Sequence, residues 1–421
     1  MFAALPLQWY VVGSTPLGTA RAHQVAFLLF AAVVFARYRL RSQEPILRAA
    51  MWFVVANVYM LSIWFLIRLY HGGFPDGPVQ QFIYLAVFFA VGAYIYRAGR
   101  GLEIGALELL RWAAAGAAAA LVVGLVLSML RNGSNPIAVV SQALASANPE
   151  LLQRELFRSS FEGYGFDEET VRGNIRHEIF GSILLAMYVA SWATRLRPFA
   201  TTATRVAFRL SMVVCVGLLL ISMSRAILIA AAAWPLISFL RSARLFAVST
   251  RQLATAYGAV AAMALVLVSG LGQVLWTRFA EDTGSYTSRA GLYDRAFENI
   301  RTHFLTGGVE TAGESSHNFV VDAWLQGGIL MAIAAAAVLV LLIAAWVVWL
   351  VRLPSEADWM LPVTAAFALP IDRMLTSGGG LIPPVEWVTL GFIAGALALR
   401  HQHRAEARRR DGVPSVAKVG T

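Results

Sequence analysis

The residues best suited to chemistry in this 421-residue chain gather in one stretch. It runs Ser285-Tyr-Thr-Ser-Arg289-Ala-Gly-Leu-Tyr293-Asp-Arg-Ala-Phe-Glu-Asn-Ile300, then His303-Phe-Leu-Thr-Gly-Gly308, Ser315-Ser-His317-Asn318-Phe and Gln326-Gly-Gly-Ile-Leu330. From about Leu292, apolar residues recur at Tyr293, Ala296, Phe297, Ile300 and Phe304, the spacing of a helix with one buried face. Thr287 or Ser288 can cap its start, which places Arg289 at a helix N-terminus. Free N–H groups and the helix dipole favour an anion there, and arginine adds a planar fork that matches two phosphate oxygens. The plainer alternative is a surface ion pair of Arg289 with Glu281 or Asp282. His317 is the second candidate. Ser315 or Ser316 can cap a helix beginning near it, and Gly327 and Gly328 are expected to break that helix before the next apolar run. The dipole at that end lowers a histidine's pKa, leaving a neutral imidazole able to take a proton as a general base. The plainer alternative is a histidine that caps the helix or bonds a nearby carbonyl. Third is Arg225, in Ser222-Met-Ser-Arg225 between two apolar runs with almost no loop. A charge at that depth usually has a partner or a function; the alternative is an arginine snorkelling to headgroups. Arg68 and the pair Asp372–Arg373 fall at a similar depth, as lining for an electropositive pocket or, for the pair, as a local ion pair.

These residues need a scaffold, and the composition says which. Of the residues, 58% are hydrophobic and 14% charged, whereas a soluble domain is nearer a quarter charged. The apolar residues form blocks of about 20, the length that crosses a bilayer as a helix. The expected fold is all-α: a polytopic membrane bundle of about eleven spans, or twelve if residues 2–16 add a hairpin or interfacial helix. The spans read at 22–38, 46–70, 79–97, 112–131, 177–194, 206–223, 226–240, 252–276, 329–351, 359–375 and 384–400. Alanine runs such as Ala114–Ala120 allow close helix packing.

Arginines in short loops mark the cytoplasmic side. Arg37, Arg39, Arg41 and Arg48 flank one loop, and Arg97, Arg100 and Arg111 the next. Arg195, Arg197 and Arg205 lie in a third, and Arg241, Arg244 and Arg251 in a fourth. Arg400, Arg404, Arg408, Arg409 and Arg410 crowd the tail. All five groups share one side if the N-terminus is outside and the C-terminus inside. The chain then divides into N-terminal spans (1–131), a first outer loop (132–176), central spans (177–276), a second outer loop (277–328) carrying the residues above, C-terminal spans (329–400) and a basic cytoplasmic tail (401–421). No cleavable signal peptide is expected at the N-terminus.

Several classes of chemistry have no matching signal. There is no Walker-type phosphate loop and no His-Glu-x-x-His, and the seven histidines lack metal-ligand spacing. Cys215 is the single cysteine, so no cysteine metal site or intrachain disulfide can form. No cofactor and no metal is therefore expected. The net charge of +10 suits an anionic membrane surface or substrate. Nucleic acid is not an expected partner, because no basic, aromatic-interleaved soluble module is present.

The order of these motifs resembles the O-antigen ligase and polymerase superfamily. The resemblance covers roughly 170–335. It rests on Ser-Arg at 224–225 between two spans, on Arg289 before an aromatic helix, and on His303-Phe-Leu-Thr-Gly-Gly308. His317, Asn318 and Gly328 fit the pattern His-Asn, nine residues, Gly. Arg172-Gly-Asn174 through Phe180 is loosely similar to the family's entry into a span. The ligase pattern ends in Gly, Thr or Tyr where this chain has Met331. The resemblance implies a GT-C-like transferase in the bacterial inner membrane with a periplasmic active site. Its donor is a glycan on undecaprenyl diphosphate, and its acceptor a hydroxyl of lipid A-core or a similar glycolipid or glycan. Arg225 and Arg289 then hold the diphosphate, His317 is the base, and Asn318, Tyr293, Arg68 and Arg373 support them. Transfer is metal-independent and inverts the anomeric centre. A polymerase using the same donor is the alternative within the family. A transporter of lipid-linked sugars is the alternative outside it, although such proteins usually carry internal repeats and broken spans.

Overall fold

Backbone in hydrocarbon must satisfy its N–H and C=O groups within its own segment, so long apolar blocks fold as helices. The computed structural model describes residues 1–7, 11–15, 18–38, 44–73, 75–100, 105–132, 135–146, 168–221, 225–244, 284–309, 316–376 and 382–410. Helices α1 (Ala22–Tyr38), α2 (Glu44–Tyr70), α3 (Asp76–Arg100) and α4 (Ala106–Asn132) take up the first apolar blocks. Helix α5 (Pro136–Ala145) is a short helix of the first long loop. The central group is α6 (Glu168–Leu196), α7 (Thr202–Ile221) and α8 (Arg225–Arg244). Helices α9 (Gly284–Thr302) and α10 (Phe319–Arg352) bracket the motif-rich segment, and α11 (Met360–Ala366), α12 (Ala368–Thr376) and α13 (Pro384–Arg410) follow. The expected span at 252–276 lies outside the described residues. Each of the others coincides with a helix, the one at 359–375 being divided between α11 and α12.

Five helical stretches among the described residues are long and apolar enough to cross a membrane: Glu44–Tyr70, Asp76–Arg100, Ile179–Leu196, Thr202–Leu219 and Phe319–Ser355. The chain thus has the helices of a membrane protein. Its N-terminus departs from the all-α expectation. A 3-10 turn, Leu5–Leu7, sits with Leu5 and Pro6 buried. After it, Val11–Thr15 (β1) pairs antiparallel with Gly18–Arg21 (β2). Val, Thr and glycine in that stretch suit a hairpin better than a helix, so what is described of residues 2–16 adds no further span.

Burial separates an inner helix from a lipid-facing one. Within Ile179–Leu196, 83% of the stretch is buried, against 11% for Thr202–Leu219. Helix α7 instead exposes Val206, Leu210, Val213 and Val214, a face suited to acyl chains. Helix α13 crosses α3 at the closest range. A side chain at Gly391 would meet the Phe88 carbonyl and one at Gly395 the Gly92 carbonyl. The sequence Gly391-Phe-Ile-Ala-Gly395 is a small-xxx-small seam of the kind that lets membrane helices touch by their backbones.

One end of the bundle gathers the arginines. The buried Glu356 carboxylate accepts from Arg400 and, at 2.6 Å, from Arg404. Arg241, near the end of α8, donates to Asp358 at 2.6 Å and to the Glu356 carbonyl at 2.9 Å. Arg400 also lies over the Trp349 ring, 4.5 Å from its centroid. Tyr96, near the end of α3, donates to Gln402 of α13 at 2.6 Å. The termini of α3, α8, α10 and α13 therefore meet at one end, as the loop arginines require. Arginine suits such a node, because its fork can satisfy both carboxylate oxygens of a buried acid.

Candidate functional site

The opposite end holds the motif residues, and a broken helix organises it. Helix α10 is helical up to Gly327 and again after Gly328, whose backbone is at φ 69°, ψ −170°. That is the interruption expected from the Gly-Gly pair. It frees backbone groups that a continuous helix would use, and the turn after α9 takes them up. Gly308 N–H donates to the Gln326 carbonyl at 3.1 Å and Val309 N–H to the Leu325 carbonyl at 3.0 Å. In return Ile329 N–H donates to the Phe304 carbonyl at 3.0 Å. The Trp324 indole N–H donates to the same Phe304 oxygen at 3.0 Å. Buried backbone groups need such partners, so the His303–Gly308 turn and the Gly328 break are complementary halves of one joint. At its tip, Gly308 packs against the His71 ring at the end of α2.

Gly328 admits no side chain. Its φ of +69° lies in the left-handed region, and a Cβ there would collide with the Leu305 carbonyl. Gly328→Ala is expected to cost at least the left-handed penalty of about 1–2 kcal/mol, read as a lower melting temperature in detergent. Gly291→Ala is the control: among the described residues nothing lies within 4 Å of a side chain there, and alanine inside a helix favours folding by roughly 0.5–1 kcal/mol. Equal melting temperatures for the two variants would mean that the joint does not hold the structure.

Helix α9 packs on the first part of α10 through Ala296 and Ile300, which meet Leu325 with Val309, Val321 and Trp324 around them. The aromatic stripe expected to be buried with them is not. Phe297 is 48% exposed and Phe304 46%, and Tyr293 stacks on Phe297 with centroids 6.4 Å apart. Two apolar rows run along this helix, and the smaller residues occupy the narrow contact with α10. The start of α9 differs as well. It begins at Gly284, so Thr287 and Ser288 lie within the helix and Arg289 falls in its second turn. Position 289 is two turns before Ala296, about 10 Å along the axis and on the same face. Arg289 and Arg225 are described by their backbones alone. Arg225 opens α8, about 24 Å of helix from the arginine-rich end marked by Arg241. Arg172, Gly173 and Asn174 lie in the first turns of α6.

His317 is held in an unusual conformation. Among the described residues it is the only non-glycine with positive φ, at 59°. The helix begins after it: Asn318 is the N-cap, and its side chain accepts from Val320 N–H at 3.0 Å and Val321 N–H at 3.2 Å. Ser316 does not cap, contrary to expectation, because it is engaged elsewhere, and Ser315 lies outside the described residues. Its N–H and its hydroxyl both donate to Asp322 Oδ1 at 2.7 Å. Ser316 and Asp322 are fully buried, while His317 is half-buried. Asn318 is thus a capping residue as placed. His303 ends α9 instead, exposed, with its Nδ1 3.2 Å from the Asn299 carbonyl.

The supporting charges lie at the same end. Arg68 sits 3.9 Å from Asp76 across the α2–α3 turn, three residues before the His71 that meets Gly308. Asp372 and Arg373 are both buried in α12. Arg373 interacts electrostatically with Glu386, which is wholly buried in the first turn of α13. Nearby, Gln81 donates to the Ile382 carbonyl at 3.1 Å and accepts from the Trp387 indole at 2.8 Å. Reading the sequence singled out Arg68, Asp372 and Arg373 but missed Asp322, Glu386 and Gln81. An acid in the first turn of an apolar helix is the signal that both Asp322 and Glu386 offered.

Compared with known protein families, curated proteins and solved structures, the chain has no match.

Proposed function

We propose that this protein is a membrane glycosyltransferase of the O-antigen ligase type, working at the periplasmic face of the bacterial inner membrane. The observation that carries the reading is the joint at Gly328. Above it on the same helix, the network of Ser316, Asn318 and Asp322 holds a half-buried, left-handed His317 beside the cap of α10, at the bundle end opposite the arginine node. The donor is a glycan on undecaprenyl diphosphate; the acceptor is a hydroxyl of lipid A-core or a similar glycolipid. The acceptor oxygen attacks the anomeric carbon as its proton passes to the His317 imidazole. The bond from that carbon to the diphosphate oxygen breaks, and the electron pair leaves with the diphosphate. Arg225 and Arg289 meet the charge that develops there, the role fixed cations play at leaving groups. Direct displacement inverts the anomeric centre.

Sidedness is the first test. A reporter fused after Arg410 is expected to read cytoplasmic, and one inserted within 310–314 periplasmic, as the arginine-rich loops require. The reverse at either point removes the site from the periplasm. The second test is turnover of undecaprenyl-diphosphate-linked glycan by pure protein in detergent, with lipid A-core as sole acceptor. Glycosylated core supports a ligase. Chain growth only with lipid-linked glycan as acceptor identifies a polymerase, and no turnover with either leaves a transporter.

A further inference from the structure

The carboxylate of Asp322 serves the turn that precedes its own helix. Asp322 lies in the first turn of α10, where an acid commonly favours the exposed N–H groups of its own helix. Here Asn318 already caps two of them. The Asp322 oxygen Oδ1 instead reaches back six residues and takes two hydrogen bonds from Ser316. The Ser316 hydroxyl in turn accepts from Asn318 N–H at 3.2 Å. The backbone N–H groups of Ser316 and Asn318, the residues on either side of His317, are therefore both held by one network, and His317 is left at φ 59° between them. Burying a carboxylate is costly unless it is hydrogen-bonded. A left-handed non-glycine residue persists only where its surroundings over-determine it.

We propose that Asp322 is a positioning residue: through Ser316 it sets the left-handed turn that aims the His317 imidazole. The proposal rests on the reading of His317 as general base. Asp322 touches no reacting atom in this scheme, and its work is done by geometry, to which proton transfer is sensitive.

The test measures release of undecaprenyl diphosphate from its glycan, with lipid A-core as acceptor, in parent and His317→Gly backgrounds. Asp322→Ala is expected to lower kcat by about 10–10²-fold with KM for the donor unchanged. Asp322→Asn, which keeps an acceptor oxygen for both Ser316 donors, is expected to recover most of that loss. In the His317→Gly background, Asp322→Ala is expected to cost nothing further, because two groups acting as a unit are not additive. If the two losses multiply, Asp322 acts apart from His317 and the positioning role is wrong. A failure of Asp322→Asn to recover kcat also overturns it, since charge rather than geometry would then matter. Should Asp322→Ala not fold, Ser316→Ala carries the same comparison: a loss in the parent background, none beside His317→Gly. Full turnover by His317→Gly alone is a different result, which removes the base itself and the proposal with it.

Discussion

Glycine at position 317 is expected to lower glycan transfer by about 10²–10⁴-fold, the usual worth of a general base, without loss of stability. Glycine is the informative replacement because the backbone there has φ 59°, a conformation glycine adopts without penalty. His317→Ala would remove the imidazole and keep the strain; His317→Gly removes both. Donor affinity should change little, since in the proposed scheme the arginines hold the diphosphate. Turnover, melting temperature and donor binding on one preparation separate the roles. A stable His317→Gly protein within about threefold of the parent's turnover is below any general-base effect and excludes the imidazole from the chemistry. His303→Ala serves as comparison: its ring rests on the end of its own helix, and its loss is expected to matter less.

Arg225→Ala and Arg289→Ala are each expected to cut transfer by about 10²–10³-fold, the scale on which one preorganised group stabilises developing charge. Lysine at either position should restore only part, because an ammonium cannot reproduce the planar two-pronged contact. Arg225 opens α8 at the end away from Asp358, and Arg289 lies two turns before the contact of α9 with α10. Full activity of Arg289→Lys would rule out the two-pronged contact. Disappearance of the alanine variants from the membrane would assign these arginines to folding.

The helices were legible in the sequence because hydrocarbon leaves the backbone one choice, and uncharged blocks of the right length announce it. The sorting of Arg241, Arg400 and Arg404 to one end was legible for a similar reason, since charge distribution constrains topology directly. The break at Gly328 was readable too, from two adjacent glycines. The cap was not: Ser315, Ser316 and Asn318 are all good capping residues, and the choice fell to Asn318 because Asp322 claimed Ser316. That preference depends on a buried hydrogen bond between residues six apart, which no local pattern encodes. The exposure of Phe297 was hidden likewise. Helical periodicity marks an apolar face, but which of two rows meets a neighbour depends on how closely the neighbour approaches. Glu386 was missed because its partner Arg373 stands on the preceding helix, and Gln81 because its partners, Ile382 and Trp387, lie far along the chain.

The joint at Gly328 also bears on the order in which the protein is built. Its partners are close in sequence: Phe304 meets Ile329, and Gly308 meets Gln326. Each pairing closes a loop of roughly twenty residues, an inexpensive closure in entropy. Other contacts of the bundle await helices made much later, as α3 awaits α13. The ribosome need only release the chain a little past Ile329 for the joint to be complete in itself. A nascent chain halted after α10 should therefore already protect the Gly308 and Val309 amides, before α11 to α13 enter the membrane. A chain halted before Leu325 should leave both amides open, since neither acceptor carbonyl is yet in place.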